Sequence, residues 1–214
     1  MTLVKICGIN DAAGFDAVAE AGADMVGLVF YPPSPRAVTA AEAAALSERV
    51  SGGPMRVGLF VDPTDAELEA VLAVVPLGMI QLHGSESPAR CAAIRARYGL
   101  PVMKAVGVGE QRDLEGLAFY TPTVDRFLLD AKPPVGAELP GGNAEPFDWS
   151  LTAGRTIPRP WLLAGGLSPE TVAEAIRQSG ATGVDVSSGV ERARGVKDPA
   201  RIAAFVAAVR AQEQ

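Results

Sequence analysis

Two side chains in this sequence stand where proton transfer would use them. Cys7 closes the apolar run Leu3-Val4-Lys5-Ile6-Cys7 and is followed by Gly8. A free thiol has a pKa of about 8.5, so one acting as a base near neutrality needs loop N–H groups or a cation to lower it. Asp130 closes a second run, Arg126-Phe127-Leu128-Leu129-Asp130, where an unused and unpaired carboxylate would be costly. Held protonated in a partly dry cleft, it serves as a general acid. A base and an acid from two different strands suit a proton-transfer isomerisation. Taken alone, Cys7 also fits a small buried hydrophobe; its place at a strand end is what favours chemistry.

Two glycine-serine segments add an anion grip. Ala164-Gly165-Gly166-Leu167-Ser168-Pro169-Glu170 runs into a helical stretch, and Asp185-Val186-Ser187-Ser188-Gly189-Val190-Glu191 leaves another apolar run. Glycines let main-chain N–H groups converge on an anion, serine hydroxyls add donors, and a helix N-terminus adds a favourable dipole. Gly165, Gly166, Ser187, Ser188 and Gly189 are therefore candidate phosphate ligands. A single glycine pair would equally make a tight turn; two such segments in succession favour phosphate.

These residues need elements to hold them. Apolar runs of strand length at 3–7, 25–30, 56–61, 79–83, 101–108, 125–130, 161–164 and 183–187 alternate with stretches of helical period at 11–21, 39–50, 63–75, 87–98, 111–119, 147–151, 168–179 and 198–211. Thr39, with Glu42 three residues on, reads as a helix N-cap. Pro63 and Pro199 read as first turns of helices. The strand runs are nearly continuous Val, Ile, Leu, Met and Phe, as in a parallel sheet buried on both faces. Eight such units fit one (β/α)8 TIM barrel domain over residues 1–214. An open doubly wound sheet would favour a Gly-x-Gly-x-x-Gly turn after its first strand, and Cys7-Gly8-Ile9-Asn10 lacks that spacing. In a barrel the chemistry gathers where strands end and loops begin. Cys7, His83, Asp130 and both glycine-serine segments fall there, the latter after strands 7 and 8, where barrels bind phosphate.

Composition narrows the partners. The chain has 214 residues, 48% hydrophobic, with 25 acidic against 19 basic side chains and a net charge of −6. Without a Lys/Arg cluster, nucleic acid is not the expected partner. Apolar windows stop well short of a membrane span, and the first residues carry no secretory pattern, so a cytoplasmic protein is expected. Two cysteines and one histidine give neither a paired-cysteine zinc spacing nor a multi-histidine metal site. No Gly-x-Ser-x-Gly elbow accompanies His83. A monomer or a homodimer is compatible with this surface.

Period-two alternation carries a further expectation. If Cys7 faces the barrel axis, so does Lys5; if Ser187 does, so does Asp185. First and last strands are neighbours in a closed barrel, so Asp185 is expected to be buried against a cation, either Lys5 or Arg36. Cys91 lies in a helical stretch among alanines and reads as packing.

Several ordered segments together resemble the phosphoribosylanthranilate isomerase family of tryptophan biosynthesis. They are Lys5-Ile6-Cys7-Gly8, Phe30-Tyr31-Pro32-Pro33-Ser34-Pro35-Arg36, Val57-Gly58-Leu59-Phe60-Val61, Gln81-Leu82-His83-Gly84 and Leu128-Leu129-Asp130. Pro140-Gly141-Gly142 with Phe147-Asp148-Trp149, Leu163-Ala164-Gly165-Gly166-Leu167, Val184 to Glu191, and Gly195-Val196-Lys197-Asp198 complete the set. The resemblance covers nearly the whole chain. It implies an Amadori rearrangement of a phosphorylated small molecule without metal or organic cofactor. In that reading Asp130 protonates the furanose oxygen, Cys7 removes the carbon-bound proton, and Arg36 holds the anthranilate carboxylate through its guanidinium fork. His83 is left a structural or hydrogen-bonding role.

The sequence departs from the family at one place. Where the family carries a Thr/Ser-Gly-Lys-like run, it reads Asn143-Ala144-Glu145-Pro146, inside a long connection over 131–146 that reads as a lid. Two other readings stay open. A histidine-pathway aminoaldose isomerase would carry a doubled half-barrel, two phosphate grips and an aspartate in place of Cys7. A non-catalytic barrel binding a phosphoribosyl ligand would need no reactive pair.

Overall fold

The computed structural model describes residues 1–132 and 147–213; the lid expected over 131–146 lies, but for its first two residues, outside them. Eight parallel strands close on themselves: β1 (Leu3–Cys7), β2 (Met25–Val29), β3 (Met55–Phe60), β4 (Met79–Leu82), β5 (Val102–Val108), β6 (Arg126–Ala131), β7 (Trp161–Leu163) and β8 (Gly183–Val186). β8 pairs back onto β1 with Lys5 opposite Asp185. The (β/α)8 barrel expected from the runs is the fold.

Around it lie α1 (Ala12–Glu20), α2 (Ala40–Glu48), α3 (Asp65–Leu72), α4 (Pro88–Tyr98), α5 (Leu117–Tyr120), α6 (Val172–Ser179) and α7 (Pro199–Arg210). Their starts are set locally. Thr39 and Thr64 each close a capping box with a glutamate three residues on, satisfying N–H groups that the first turn leaves unpaired. Asp11, Ser87 and Asp198 cap α1, α4 and α7, and Pro88 and Pro199 sit where a missing N–H costs nothing. Gly99 and Gly180 end α4 and α6 in the left-handed conformation.

Three helix expectations outside the β7–β8 region are corrected. Pro63 precedes the Thr64 cap and lies outside α3. The stretch 111–119 splits into a 3-10 turn, Gln111–Leu114, and the single turn of α5. Between β6 and β7 the described chain forms only the 3-10 turn Trp149–Thr152. A small antiparallel ladder, β9 (Glu191–Ala193) with β10 (Val196–Lys197), follows β8.

The strands divide their side chains between two cores. Val4, Ile6, Val26, Leu28, Ile80, Leu82, Phe127, Leu129 and Val184 pack outward against the helices. Met25, Val57, Met79, Met103, Leu128 and Leu162, with Leu3 against them, fill the axis, as the barrel interior is filled in layers. Cys7, Val29 and Leu59 form a separate cluster one level higher. Between the two levels the interior turns polar, at Lys5, Gln81 and Asp185. No helix among the described residues is long and apolar enough to cross a membrane.

Candidate active site

The polar layer begins with an ion pair. Lys5 Nζ donates to Asp185 Oδ1 at 2.8 Å, with the lysine side chain fully buried. Alternation placed both residues inward, and of the two cations expected for Asp185 it takes Lys5. Burial pulls the Lys5 ammonium down, but Asp185 and Cys7 beside it outweigh burial and hold it above the ordinary lysine value. Cys7 stands two residues along the same strand face. Burial pushes its thiol up; Lys5 opposes, Asp185 adds to the rise, and Lys197 opposes from the other side. A cation is therefore present beside the thiol, but burial outweighs it and holds Cys7 above its ordinary value.

Asp130 faces the same interior from β6, in line with Leu128 of the axial core. Its Oδ1 accepts the N–H of Ala131 at 2.8 Å, and Oδ2 lies 3.4 Å from His83 Nε2. Gln81 Nε2 lies 3.0 Å from His83 Nδ1. Gln81 holds one ring nitrogen and leaves the other facing Asp130. The role left to His83 is thus a contact with the carboxyl group. Behind it, Lys104 Nζ reaches Glu86 Oε2 at 2.9 Å and the Gly84 carbonyl at 2.7 Å. Glu86 in turn accepts the Asp62 and Gly84 N–H groups. This buried pair fixes the turn that follows His83.

Arg36 crosses to the first strand. Its stem lies over Gly8, where a Cβ would come within 2.5 Å of the Arg36 Cδ and where φ is +77°; only glycine meets both demands. The guanidinium is buried and doubly bonded: Nε donates to Glu191 Oε1 at 2.6 Å and Nη2 to Oε2 at 3.0 Å. Lys197 Nζ donates to Glu191 Oε1 at 2.8 Å and to Ser187 at its carbonyl (2.8 Å) and hydroxyl (3.2 Å). Burial would raise the Glu191 carboxyl, but Arg36, Lys197 and the Gly195 N–H together hold it below the ordinary glutamate value. Lys197 is lowered by its burial, with Glu191 opposing.

The two glycine-serine segments meet. A Cβ on Gly189 would collide with the Leu167 carbonyl oxygen, so the loops after β7 and β8 touch backbone to backbone. Arg201 of α7 ties them, with Nε to the Gly189 carbonyl and Nη2 to Glu170, both at 3.0 Å. The N–H groups of Gly165, Gly166, Ser188 and Gly189 donate to no acceptor among the described residues. Gly165 (φ +82°) also borders Asp130: a Cβ there would sit 3.3 Å from Asp130 Oδ1 and 2.7 Å from the Ala131 nitrogen. The helix expected to open at residue 168 begins at Val172, because Ser168 and Thr171 first close a separate turn. The donors near the glycines are therefore loop N–H groups rather than the first turn of α6.

Cys7, His83, Asp130, Arg36 and the two glycine-serine segments thus lie at or beyond the carboxyl ends of the strands, with Lys5 and Asp185 inside the barrel beneath them. Sequence reasoning assigned no role to Glu191, Lys197 or Gln81, although each stood inside a quoted segment. The signal available was a carboxylate and a lysine six residues apart, just after the Ser187-Ser188-Gly189 segment.

Comparisons with known proteins agree. The family model for N-(5'phosphoribosyl)anthranilate (PRA) isomerase matches residues 4–208. The isomerase of that name from Rhodospirillum rubrum is 59% identical over 213 residues, 98% of both chains. The one from Paracoccus denitrificans is 61% identical over 204 residues, 95% of both. Among solved structures, the phosphoribosyl anthranilate isomerase of Thermotoga maritima superposes with a TM-score of 0.88 at 39% identity, covering 99% of this chain and 100% of that one. A structure of such an isomerase with reduced 1-(o-carboxyphenylamino)-1-deoxyribulose 5-phosphate gives 0.85 at 37%, again over 99% and 100%. With the barrel, its polar mouth and these matches in hand, the chain belongs to the N-(5'-phosphoribosyl)anthranilate isomerase family.

Proposed function

We propose that this isomerase converts N-(5'-phosphoribosyl)anthranilate to 1-(2-carboxyphenylamino)-1-deoxyribulose 5-phosphate in tryptophan biosynthesis, in the cytoplasm. One arrangement carries the reading. Going round the barrel from β6 to β1, Asp130 is followed by the Gly165-Gly166 loop, the Ser187-Ser188-Gly189 loop and then Cys7. A phosphate in those loops leaves its sugar between a carboxyl group and a thiol.

The carboxyl group of Asp130 gives its proton to the furanose oxygen as the C1–O bond breaks, leaving a protonated Schiff base. The thiolate of Cys7 then takes the proton from C2, and the electron pair moves through C1 to the nitrogen, forming an enolamine. Loss of the O2 proton and protonation at C1 yield the ketone. The substrate nitrogen is the electron sink, and each proton-transfer group contributes roughly 10²–10⁴-fold. Arg36 faces the anthranilate carboxylate, and Gly165, Gly166, Ser187, Ser188 and Gly189 hold the phosphate.

Loss of phosphoribosylanthranilate fluorescence on adding the purified protein tests this directly. Turnover supports the proposal; a folded protein that binds the product but leaves the signal unchanged makes the barrel a ligand-binding module instead.

A further inference from the structure

The edge of Arg36 best suited to a carboxylate is already occupied. Nε and Nη2 form the side-on two-point face of the guanidinium, and both are bonded to Glu191 inside a pair whose side chains are 7% and 5% exposed. A ligand carboxylate therefore meets the end-on face, Nη1 with the second hydrogen of Nη2, whose direction is set by the plane of the Glu191 contact. Glu191 is itself fixed, by Lys197 and by the Gly195 N–H at 3.0 Å. Lys197 in turn holds Ser187, the first residue of the second phosphate loop. Only the short turn Ser188–Val190 separates Ser187 from Glu191. The far side is also packed, since a Cβ on Gly195 would meet the Pro35 carbonyl at 2.7 Å.

We infer that Glu191 and Lys197 form a rigid spacer between two anion subsites, fixing Arg36 at a set distance from the phosphate loops and so selecting ligands that carry both a phosphate and an aromatic carboxylate. Glu191 is a positioning residue: it acts through Arg36 and touches no reacting atom. Two cations and one anion leave the Arg36, Glu191 and Lys197 cluster with a formal charge of +1, so an arriving carboxylate completes the neutralisation. Without Glu191 the guanidinium loses its fixed plane and Lys197 loses the contact that joins the two loops.

This inference rests on the assignment of Arg36 to the anthranilate carboxylate, and its test is separable from turnover. The deoxyribulose phosphate product and its analogue with an unsubstituted phenyl ring are titrated by calorimetry into wild type and Glu191→Gln. The wild type binds the carboxylated ligand more tightly; in E191Q this preference shrinks about tenfold or more, the scale of a lost charged hydrogen bond. Binding of the phenyl analogue changes far less. A folded E191Q that keeps the wild-type ratio of the two affinities overturns the inference, whether or not the wild type turns over substrate. Should E191Q melt below the assay temperature, Lys197→Gln takes its place: a shrunken ratio supports the spacer and a wild-type ratio overturns it.

Discussion

The sulfur of Cys7 lies against Gly27 on the next strand, where a Cβ would come within 2.8 Å of Sγ and 3.0 Å of the Cys7 Cα. The two residues pair in register across β1 and β2, so the space beside the thiol exists because Gly27 has no side chain. Gly27→Ala forces the thiol aside in a packed interior, at a cost of about 1–3 kcal/mol. Denaturant unfolding reads that loss, and turnover falls with it as the sulfur leaves its position. An alanine variant with unchanged stability and rate removes the steric claim.

Cys7→Ser and Asp130→Asn separate the two proton transfers. Each lowers turnover by roughly 10²–10⁴-fold or more, while product binding stays measurable because the phosphate loops and Arg36 are untouched. Rapid-quench or fluorescence kinetics checks both, and a wild-type-like rate in either variant cancels the role given to that residue.

The pH profile follows from the raised thiol. It lies above the ordinary thiol range, so the thiolate fraction is small near neutrality and grows as pH rises. The limb of kcat/KM that reports Cys7 therefore ascends on the alkaline side. Lys5 and Lys197 face the sulfur as cations and Asp185 as the opposing anion. Asp185→Asn removes the charge that lifts the thiol and releases Lys5 towards it, moving the limb to lower pH. Ultraviolet thiolate absorbance follows the same group once Cys91, pushed by burial up to about 11, is replaced by alanine. A limb that stays in place in the variant contradicts this electrostatic account.

Acid stability reports Glu191. Its carboxyl group is held below the ordinary 4.5 in the folded chain, so it contributes stability above that value. The contribution is lost as pH falls through the folded value. The stability difference between wild type and E191Q is thus full near neutrality and shrinks below about pH 4. Chemical denaturation at a series of pH values measures it; a difference that does not change across the acid range disproves the linkage.

The pair behind His83 predicts a non-additive cost. Lys104 and Glu86 are both buried, so Lys104→Met alone leaves an uncompensated carboxylate and costs about 3–5 kcal/mol. Replacing both by apolar residues costs less than the sum of the single changes, because no lone charge remains. A thermodynamic cycle on unfolding free energies decides it, and strict additivity refutes it.

What the sequence made legible follows from how local each cause is. The eight strands were readable because burial on both faces forces continuous apolar runs, and β1 matches its run end to end. The Lys5–Asp185 pair followed from two-residue alternation plus closure of first strand on last. The stretch 111–119 misled because its apolar spacing suits a helix, yet Leu114 and Leu117 anchor two separate short turns around Gly116. Pro63 misled because Thr64, one residue later, owns the cap. Arg36 and Glu191 lie 155 positions apart, in loops whose approach depends on Gly8 and Gly195 being bare. No local pattern encodes that meeting, and so the guanidinium was assigned to a ligand carboxylate or to Asp185 rather than to Glu191.

Closure of β8 onto β1 has a consequence for a chain emerging from the ribosome. Lys5 and Cys7 are made first, whereas Asp185, Ser187, Glu191 and Lys197 come from the segment beginning at Gly183. At roughly 5–20 residues per second, the early strands wait for many seconds beside an unfilled seam. Nothing resembling a working centre exists during that interval. Completion of the proposed centre therefore coincides with the sealing of the cylinder, and a half-synthesised chain holds Cys7 and Lys5 without Asp185 or Lys197.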